Sequence, residues 1–139
     1  HQLPGSNLSI ELTESVFVES LDTVSVLLNE LRAMGITVSI DDFGTGFSSL
    51  VYLKKLPIDE LKIDRSFVSE LEKNTDDQAI VQAILGLASN LNIKIIAEGI
   101  ETQQQQQFLQ NHRCAYGQGY LYQRPVAIPE FITLAQKLK

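Results

Sequence analysis

The stretch that decides the fold is ITVSIDDFGTG, residues 36–46. In its β-branched run, Val38 and Ile40 alternate with Ser39 and Asp41, an alternation typical of a strand with one apolar and one polar face. The run ends in two adjacent acids and a glycine-rich loop, in which glycine permits positive φ and close approach of the backbone to a ligand. We therefore interpret the stretch as a strand that delivers acidic groups to a loop-lined site.

Four other segments share this design, a short apolar run that ends in a residue suited to metal or phosphate chemistry. The five predicted strands are residues 8–12, 36–41, 60–63, 93–97 and 116–122. The chemistry-bearing residues at or next to them are Glu11, Asp41 with Asp42, Lys62, Glu98 and Gln118. Because the carboxyl ends of parallel strands lie at the same end of a sheet, this recurrence predicts one functional site.

Helix-length stretches separate the predicted strands. Apolar residues at helical spacing predict helices at residues 23–34 and 76–91. Further helices are predicted at 49–55, 102–111 and 129–139, the last with proline at a plausible first position. Thr75 and Gln78 predict a capping box at the helix over residues 76–91. The glutamine run at residues 103–107 predicts a solvated helix face. Alternating strands and helices with short connections predict parallel βα units and an α/β fold.

The polar side of the strands favours a barrel over an open sheet. In an open doubly wound sheet, helices cover both faces and the strands are apolar on both sides. In a TIM (βα)8-type barrel, one side of each strand enters the lumen, and the chemistry lies at its C-terminal mouth. Such a barrel needs eight βα units in about 250 residues. We therefore expect an incomplete barrel of about five units, cut inside a domain, with two exposed sheet edges that aggregate, dimerise or pair with absent strands.

Composition narrows the class of protein. The 139 residues are 44% hydrophobic and 20% charged, which is typical of a globular chain. The formal net charge of −6 disfavours a nucleic-acid polymer as partner. No stretch is apolar enough to predict direct membrane contact from this segment. The single cysteine, Cys114, predicts a buried or idle thiol, with a nucleophile as the alternative, and it fits a cytoplasmic protein.

Four carboxylates at one mouth would repel one another without a cation. These are Glu11, Asp41, Asp42 and Glu98. Oxygen ligands select Mg²⁺ or Mn²⁺, and a carboxylate that can bridge favours two ions, an arrangement that commonly cleaves phosphate esters. Lys62 is interpreted as the electrostatic partner of the nucleophilic water or the phosphate. The alternatives are a surface lysine for Lys62 and a helix-start residue for Glu98.

Five segments together resemble one family. They are ELTES at residues 11–15, DDFGTG at 41–46, LKIDRSFV at 61–68, AEGIET at 97–102 and QGY at 118–120. In order and approximate spacing, they are similar to the motifs of the EAL-domain phosphodiesterases, which hydrolyse cyclic di-GMP in bacteria. The resemblance covers nearly the whole chain.

The resemblance implies that residues 1–139 form the C-terminal part of a single EAL-like domain, a modified TIM barrel. It implies two-metal hydrolysis of cyclic di-GMP to linear pGpG with Mg²⁺ or Mn²⁺. The roles it implies are metal binding for Glu11, Asp41, Asp42 and Glu98; catalysis for Lys62 and Glu98; substrate binding for Gln118; and loop support for Glu14, Gly44 and Gly46. Lys62 would hold the nucleophilic water, and Glu98 would bind metal or activate water. Glu14 would tether the loop at residues 42–49, its alternative being a plain helix charge.

The chain departs from the family pattern because the Glu-Ala-Leu signature and an upstream metal-binding asparagine are absent. We expect both before His1, and we therefore predict that the chain by itself is inactive or nearly so, whereas its parent is active. Two alternative functions stay open: a cyclic di-GMP receptor that does not hydrolyse its ligand, and an enzyme that acts on another phosphate ester. The resemblance also implies a homodimer, with room for an upstream sensory or GGDEF-type domain and a membrane anchor in the parent.

Overall fold

The computed structural model describes residues 3–13, 21–45 and 50–137, apart from the side chains of residues 50–52. Within these ranges, five strands form one sheet in the order of the chain: β1 (Ser9–Thr13), β2 (Thr37–Phe43), β3 (Glu60–Ile63), β4 (Lys94–Ala97) and β5 (Tyr116–Gly117). Each strand pairs in parallel with the next. The predicted parallel α/β architecture is confirmed.

Helices connect the strands. The described residues contain α1 (Leu21–Ala33), α2 (Leu50–Lys55), α3 (Arg65–Ser69), α4 (Thr75–Leu91), α5 (Gln103–Asn111) and α6 (Ile128–Lys137), preceded by a 3₁₀ turn at Gly5–Asn7. The predicted helices begin and end within two residues of these bounds wherever the chain is described. Residues 49 and 138–139 of the predictions lie outside the described part. The short α3 was not predicted, because five residues are too few to show a helical period.

The N-terminus of α4 corrects one prediction. Thr75 and Gln78 form no capping box, because Asn74 is the N-cap and its side chain accepts a hydrogen bond from the amide of Asp76. The Gln78 side chain donates instead to the carbonyl of Leu71 at 2.7 Å. Asparagine is a preferred N-cap residue, and the cap therefore lies one residue before the predicted Thr75.

The capping box belongs to α5 instead. The Thr102 hydroxyl accepts from the Gln105 amide, and the Gln105 side chain accepts from the Thr102 amide. Gln105 is buried, with 5% of its surface exposed. The prediction of a solvated face for the glutamine run is therefore wrong at this residue.

The two faces of the sheet differ as predicted. One row of paired residues is polar and runs through Glu11, Ser39, Glu60 and Lys94. The next row along the strands is apolar and runs through Leu12, Ile40, Leu61 and Ile95. Ile40, Leu61 and Ile95 are buried in one hydrophobic core with residues of α1 and α4. The helices therefore cover the apolar face, and the polar face carries the predicted site residues.

A bulge interrupts β2 at the paired acids. Ile40 lies opposite Leu61 on β3, but Phe43 lies opposite Ile63, so the register slips by one residue between them. Asp42 accommodates the slip with a φ of 54° in the left-handed region. Successive strand residues ordinarily point to opposite faces. The bulge removes that constraint, so both Asp41 and Asp42 are available to the site.

The last predicted strand is much shorter than expected. β5 ends at Gly117, and the chain then turns, with the amide of Tyr122 donating to the carbonyl of Gly119 at 3.1 Å. No helix in the described ranges has both the length and the apolar character needed to cross a membrane.

Candidate functional site

Lys62 is the centre of the site. Its side chain, 7% exposed, points from β3 to carboxylates on both sides. The ammonium nitrogen lies 2.7 Å from Glu98, 2.9 Å from Glu11 and 3.3 Å from Asp41. The structure thus brings together residues of β1, β2 and β3 and the residue that follows β4, as the recurrent strand pattern predicts.

The neighbouring carboxylates stabilise the charged form of Lys62. Burial alone would lower the pKa of Lys62, but hydrogen bonds to Glu98 and Glu11 and the nearby negative charges outweigh it, so the pKa lies above its usual range. The lysine is therefore a fixed cation at neutral pH. The alternative of a surface lysine is wrong, because the side chain is buried and paired.

Asp42 faces another carboxyl group rather than Lys62. Burial, the charges of Asp41 and Asp64, and a hydrogen bond to Asp64 raise the pKa of Asp42. Burial would also raise the pKa of Asp64, but hydrogen bonds from Ser66, from the Arg65 amide and from Asp42 bring it below its usual value. Of this carboxyl pair, Asp42 is the member that more readily holds a proton, and Asp64 is the member that stays ionised.

Glu98 is oriented by two donors. Its Oε1 accepts from Lys62 Nζ at 2.7 Å and from Gln118 Nε2 at 2.5 Å. The amide of Glu98 also donates to the carbonyl of Ile63, which continues the pairing of β3 with β4. No helix starts at Glu98, since α5 begins at Gln103, so the helix-start reading of this residue is wrong. Gln118 lies just after β5, where it fixes the orientation of the Glu98 carboxylate.

The glycine-rich loop is described only in part. Gly44 has a φ of 101°, which strains any other residue, and a Cβ at this position would approach the ring of Phe67 to 3.0 Å, so both features favour glycine. Gly46 and Glu14 lie outside the described residues, and their predicted loop-supporting roles stay predictions.

Sequence reasoning assigned no role to three charged residues close to the site. Asp64 caps α3 through the Ser66 amide at 2.9 Å and also contacts Asp42. Arg65 and Glu101 form an ion pair of 2.7 Å. All three lie inside the quoted motifs, and the Asp-x-Ser pattern at residues 64–66 was a usable capping signal. The ion pair left no local signal, because its partners are 36 residues apart.

The candidate ligands are of the chemical type that a hard divalent cation prefers, but their side chains are not arranged around a common ion position. Carboxylate oxygens from Glu11, Asp41, Asp42 and Glu98 are the ligand type that Mg²⁺ and Mn²⁺ prefer. Three of these groups, however, converge on the Lys62 ammonium. Within the described ranges, no three acidic, histidine or cysteine side chains are placed to hold a metal ion. The carboxylates would have to turn partly away from Lys62 to enclose a cation.

Comparison with known proteins identifies relatives over almost the entire chain. A family model described as the EAL domain matches residues 1–125. The bifunctional diguanylate cyclase/cyclic di-GMP phosphodiesterase MucR of Pseudomonas aeruginosa is 51% identical over 95% of this chain and 19% of its own length. The cyclic di-GMP phosphodiesterase NbdA of the same organism is 46% identical over 90% of this chain and 16% of its own length. The chain therefore spans less than a fifth of these curated relatives.

Solved structures agree with the family match. A MucR phosphodiesterase in complex with cyclic di-GMP has 51% identity and a TM-score of 0.88, covering 93% of this chain and 52% of that one. A manganese and cyclic di-GMP complex of Klebsiella pneumoniae BlrP1 has 33% identity and a TM-score of 0.81, covering 88% of this chain and 31% of that one. With the family match, this likeness confirms the predicted fold class, an incomplete barrel of the modified TIM type.

Proposed function

The chain belongs to the EAL-domain family, and from this premise we propose that residues 1–139 are the C-terminal part of a domain that hydrolyses cyclic di-GMP to linear pGpG. The single observation that carries the proposal is the convergence of Glu11, Asp41 and Glu98 on the Lys62 ammonium at 2.7–3.3 Å. The names of the relatives MucR and NbdA support the same substrate.

Lys62 acts as a cation in this proposal. Its raised pKa means that it has no free lone pair to take a proton from water at neutral pH. It can donate hydrogen bonds to the attacking water or to a phosphate oxygen, and so offset the negative charge that grows on the phosphate in the transition state.

Glu98 accepts the proton of the attacking water. Lys62 and Gln118 both donate to its Oε1, and these two contacts fix the direction of the carboxylate. A carboxylate held in this way is placed to act as a general base. Gln118 then contributes to substrate binding at the end of β5 and orients Glu98.

In the proposed domain, two Mg²⁺ or Mn²⁺ ions would be held by Glu11, Asp41, Asp42 and Glu98. A bound divalent ion would supply an activated water and neutralise phosphate charge. Lys62 would share these carboxylates with the cation, and Asp42 would have to release its hydrogen bond to Asp64.

The chain covers 52% of the solved MucR phosphodiesterase, so the activity is proposed for a longer protein that completes the domain. We propose that the chain alone is inactive or nearly so, that the complete protein is a homodimer in the cytoplasm, and that a sensory or GGDEF-type domain precedes it. The diguanylate cyclase part of the name of MucR supports the last point.

A receptor for cyclic di-GMP that does not hydrolyse it is the second candidate. It is favoured by the pairing of three carboxylates with Lys62, which leaves no group of three acids arranged for a metal in the described ranges. Ligand binding would then depend on the mouth of the barrel without the chemistry of metal-activated water.

The test is turnover of cyclic di-GMP to pGpG, with Mn²⁺ or Mg²⁺, by a protein in which the chain lies within a complete EAL domain. The Lys62→Met variant should lose turnover, whereas Lys94→Met, which breaks only a pair with Glu60 at 3.4 Å, should keep it. Binding without turnover would favour the receptor. Neither binding nor turnover would reject both candidates, and competition by other nucleotides would reveal a different phosphate ester.

A further inference from the structure

An ion pair links the chain just past β3 to the chain just past β4. Arg65 begins α3 three residues after Lys62, and Glu101 lies three residues after Glu98. The Arg65 guanidinium donates to the Glu101 carboxylate at 2.7 Å. The pair therefore joins the two segments that emerge from the contact between Lys62 and Glu98.

Arg65 reaches Glu101 by passing directly over Gly99. A Cβ at residue 99 would lie 2.2 Å from Cγ and 2.8 Å from Cβ of Arg65. Gly99 has a φ of 70°, a conformation that glycine adopts without strain. The aliphatic stem of Arg65 thus rests on the backbone of the residue that follows Glu98, and leaves that backbone no room to move towards α3.

Four further hydrogen bonds hold the same loop. The buried Gln105 side chain accepts from the amides of Glu101 and Thr102 at 2.8 and 3.0 Å, and its amide nitrogen donates to the carbonyl of Ser69 at 3.5 Å. The Thr102 hydroxyl also donates to the Glu72 carboxylate. Residues 99–102 are therefore fastened to α3 and to the turn that follows it.

We propose that Arg65 and Glu101 are positioning residues, which hold the Glu98 carboxylate against Lys62 by bracing the loop at Gly99. The inference rests on the proposed function of Lys62 and Glu98. The side chains of Arg65 and Glu101 are 60% and 43% exposed, and an exposed pair of this kind adds little to stability. Its proposed effect is on the position of Glu98. A displacement of a reacting group by about 1 Å can lower the rate by up to a hundredfold.

Three substitutions separate the charge of Arg65 from its stem. Arg65→Ala removes both, Arg65→Met keeps a stem over Gly99 without the charge, and Arg65→Lys keeps stem and charge. In a complete domain, Arg65→Ala should lower kcat by roughly ten- to a hundredfold with KM nearly unchanged, since the distance from Lys62 to Glu98 governs the chemical step. Arg65→Lys should restore most of the loss, and Arg65→Met should fall between.

Arg32→Ala is the matched control. Arg32 forms an ion pair with Asp59 at 2.9 Å, with comparable exposure of the arginine, but Asp59 precedes β3 and so lies at the opposite end of that strand. This variant should change kcat by less than about twofold, as expected for loss of a surface pair.

A second readout does not depend on turnover. Reductive methylation followed by mass spectrometry measures the access of reagent to Lys62, whose side chain is 7% exposed. Lys62 should be protected in the wild type and in Arg32→Ala, and should react several times faster in Arg65→Ala because Glu98 no longer covers it. If the wild type has no turnover, the proposed function fails, but the protection of Lys62 still tests the brace.

The outcomes are distinct. A lower kcat together with faster methylation of Lys62 supports the proposal. A rise in KM at constant kcat would assign Arg65 to substrate binding and overturn it. Unchanged protection of Lys62 in both Arg65→Ala and Arg65→Met would also overturn it, whatever the kcat. Thermal unfolding identifies a variant that fails to fold, and Arg65→Lys and Arg65→Met then carry the test.

Discussion

The ammonium nitrogen of Lys62 on β3 lies 2.9 Å from the Glu11 carboxylate on β1, although β2 runs between the two strands. The lysine side chain therefore crosses the polar face of β2, where it also contacts Asp41 at 3.3 Å. One side chain thus connects four consecutive strands through their charges, since Glu98 follows β4. Removal of this side chain should affect the whole mouth of the barrel.

The Lys62→Met variant should respond more strongly to a divalent cation than the wild type. Without metal, loss of the ammonium leaves like charges together and should lower the free energy of unfolding by about 1–3 kcal/mol. With Mn²⁺, the carboxylates no longer share their charge with an ammonium, so the rise in Tm should exceed that of the wild type. Lys94→Met is the control, and an equal or smaller rise in Lys62→Met would contradict the prediction.

The Gly99→Ala variant should be destabilised by about 1–3 kcal/mol, because the new Cβ meets the Arg65 stem and the φ of 70° is strained for alanine. Adding Arg65→Ala should recover part of this loss, since it removes the collision but not the strain. Chemical denaturation of the single and double variants measures both terms.

Gly86→Ala is the matched control for that substitution. Gly86 lies within α4, and a Cβ there would have nothing within 4 Å. Alanine should therefore stabilise the protein by about 0.5–1 kcal/mol through its helix propensity. If Gly99→Ala were as stable as Gly86→Ala, the close passage of Arg65 over residue 99 would be wrong.

The Ser39→Ala variant should keep or gain stability. Ser39 is 1% exposed, and its hydroxyl has no hydrogen-bond partner among the described residues. Removal of an unpaired buried hydroxyl should change the free energy of unfolding by between 0 and about +1 kcal/mol. Asn74→Ala, which deletes the cap of α4, should cost about 1 kcal/mol in the same denaturation experiment. A clear loss of stability in Ser39→Ala would show that the hydroxyl is satisfied.

Cys114 should react slowly with iodoacetamide at neutral pH. Burial raises the pKa of its thiol, and hydrogen bonds with the backbone of Tyr116 and Ala97 offset this only in part. A raised pKa means less thiolate at a given pH, so the alkylation rate should rise at higher pH than for an ordinary thiol near 8.5. Mass spectrometry of the folded and urea-unfolded protein, with glutathione as reference, measures this. If Cys114 in the folded protein were alkylated as fast as glutathione, the prediction of a slow thiol would be wrong.

The features of the fold that could be predicted from sequence were those set by neighbouring residues, such as the bounds of a strand. The bounds of β3 were predicted to the residue, because Leu61 and Ile63 flank Lys62 in clear alternation and Pro57 precedes them. The extent of β5 was overestimated, because Tyr120 and Tyr122 have strand character in sequence. Gly119 instead starts a turn that is held by the carbonyl of Ile100, to which the amide of Leu121 donates at 2.9 Å.

Tertiary relationships explain the rest. The positions of the candidate site residues in or next to strands were predictable from the sequence, but their convergence on Lys62 depends on how far a lysine reaches across neighbouring strands. The pair of Arg65 with Glu101 depends on the packing of α3 against the loop after β4. The one-residue slip at Asp42 depends on pairing with β3, which alternation within β2 does not contain.

The bulge in β2 also has a consequence for transplantation of this site into another scaffold. Upstream of the slip, odd-numbered residues such as Ser39 lie in the polar row, whereas downstream Phe43 lies opposite Ile63 and is buried. A designer who copies the aspartate pair into an unbroken ladder would direct Asp42 towards the layer beneath the helices. The one-residue bulge has to be built into the recipient strand together with the two acids, because the backbone irregularity is as much a part of the motif as its amino acids.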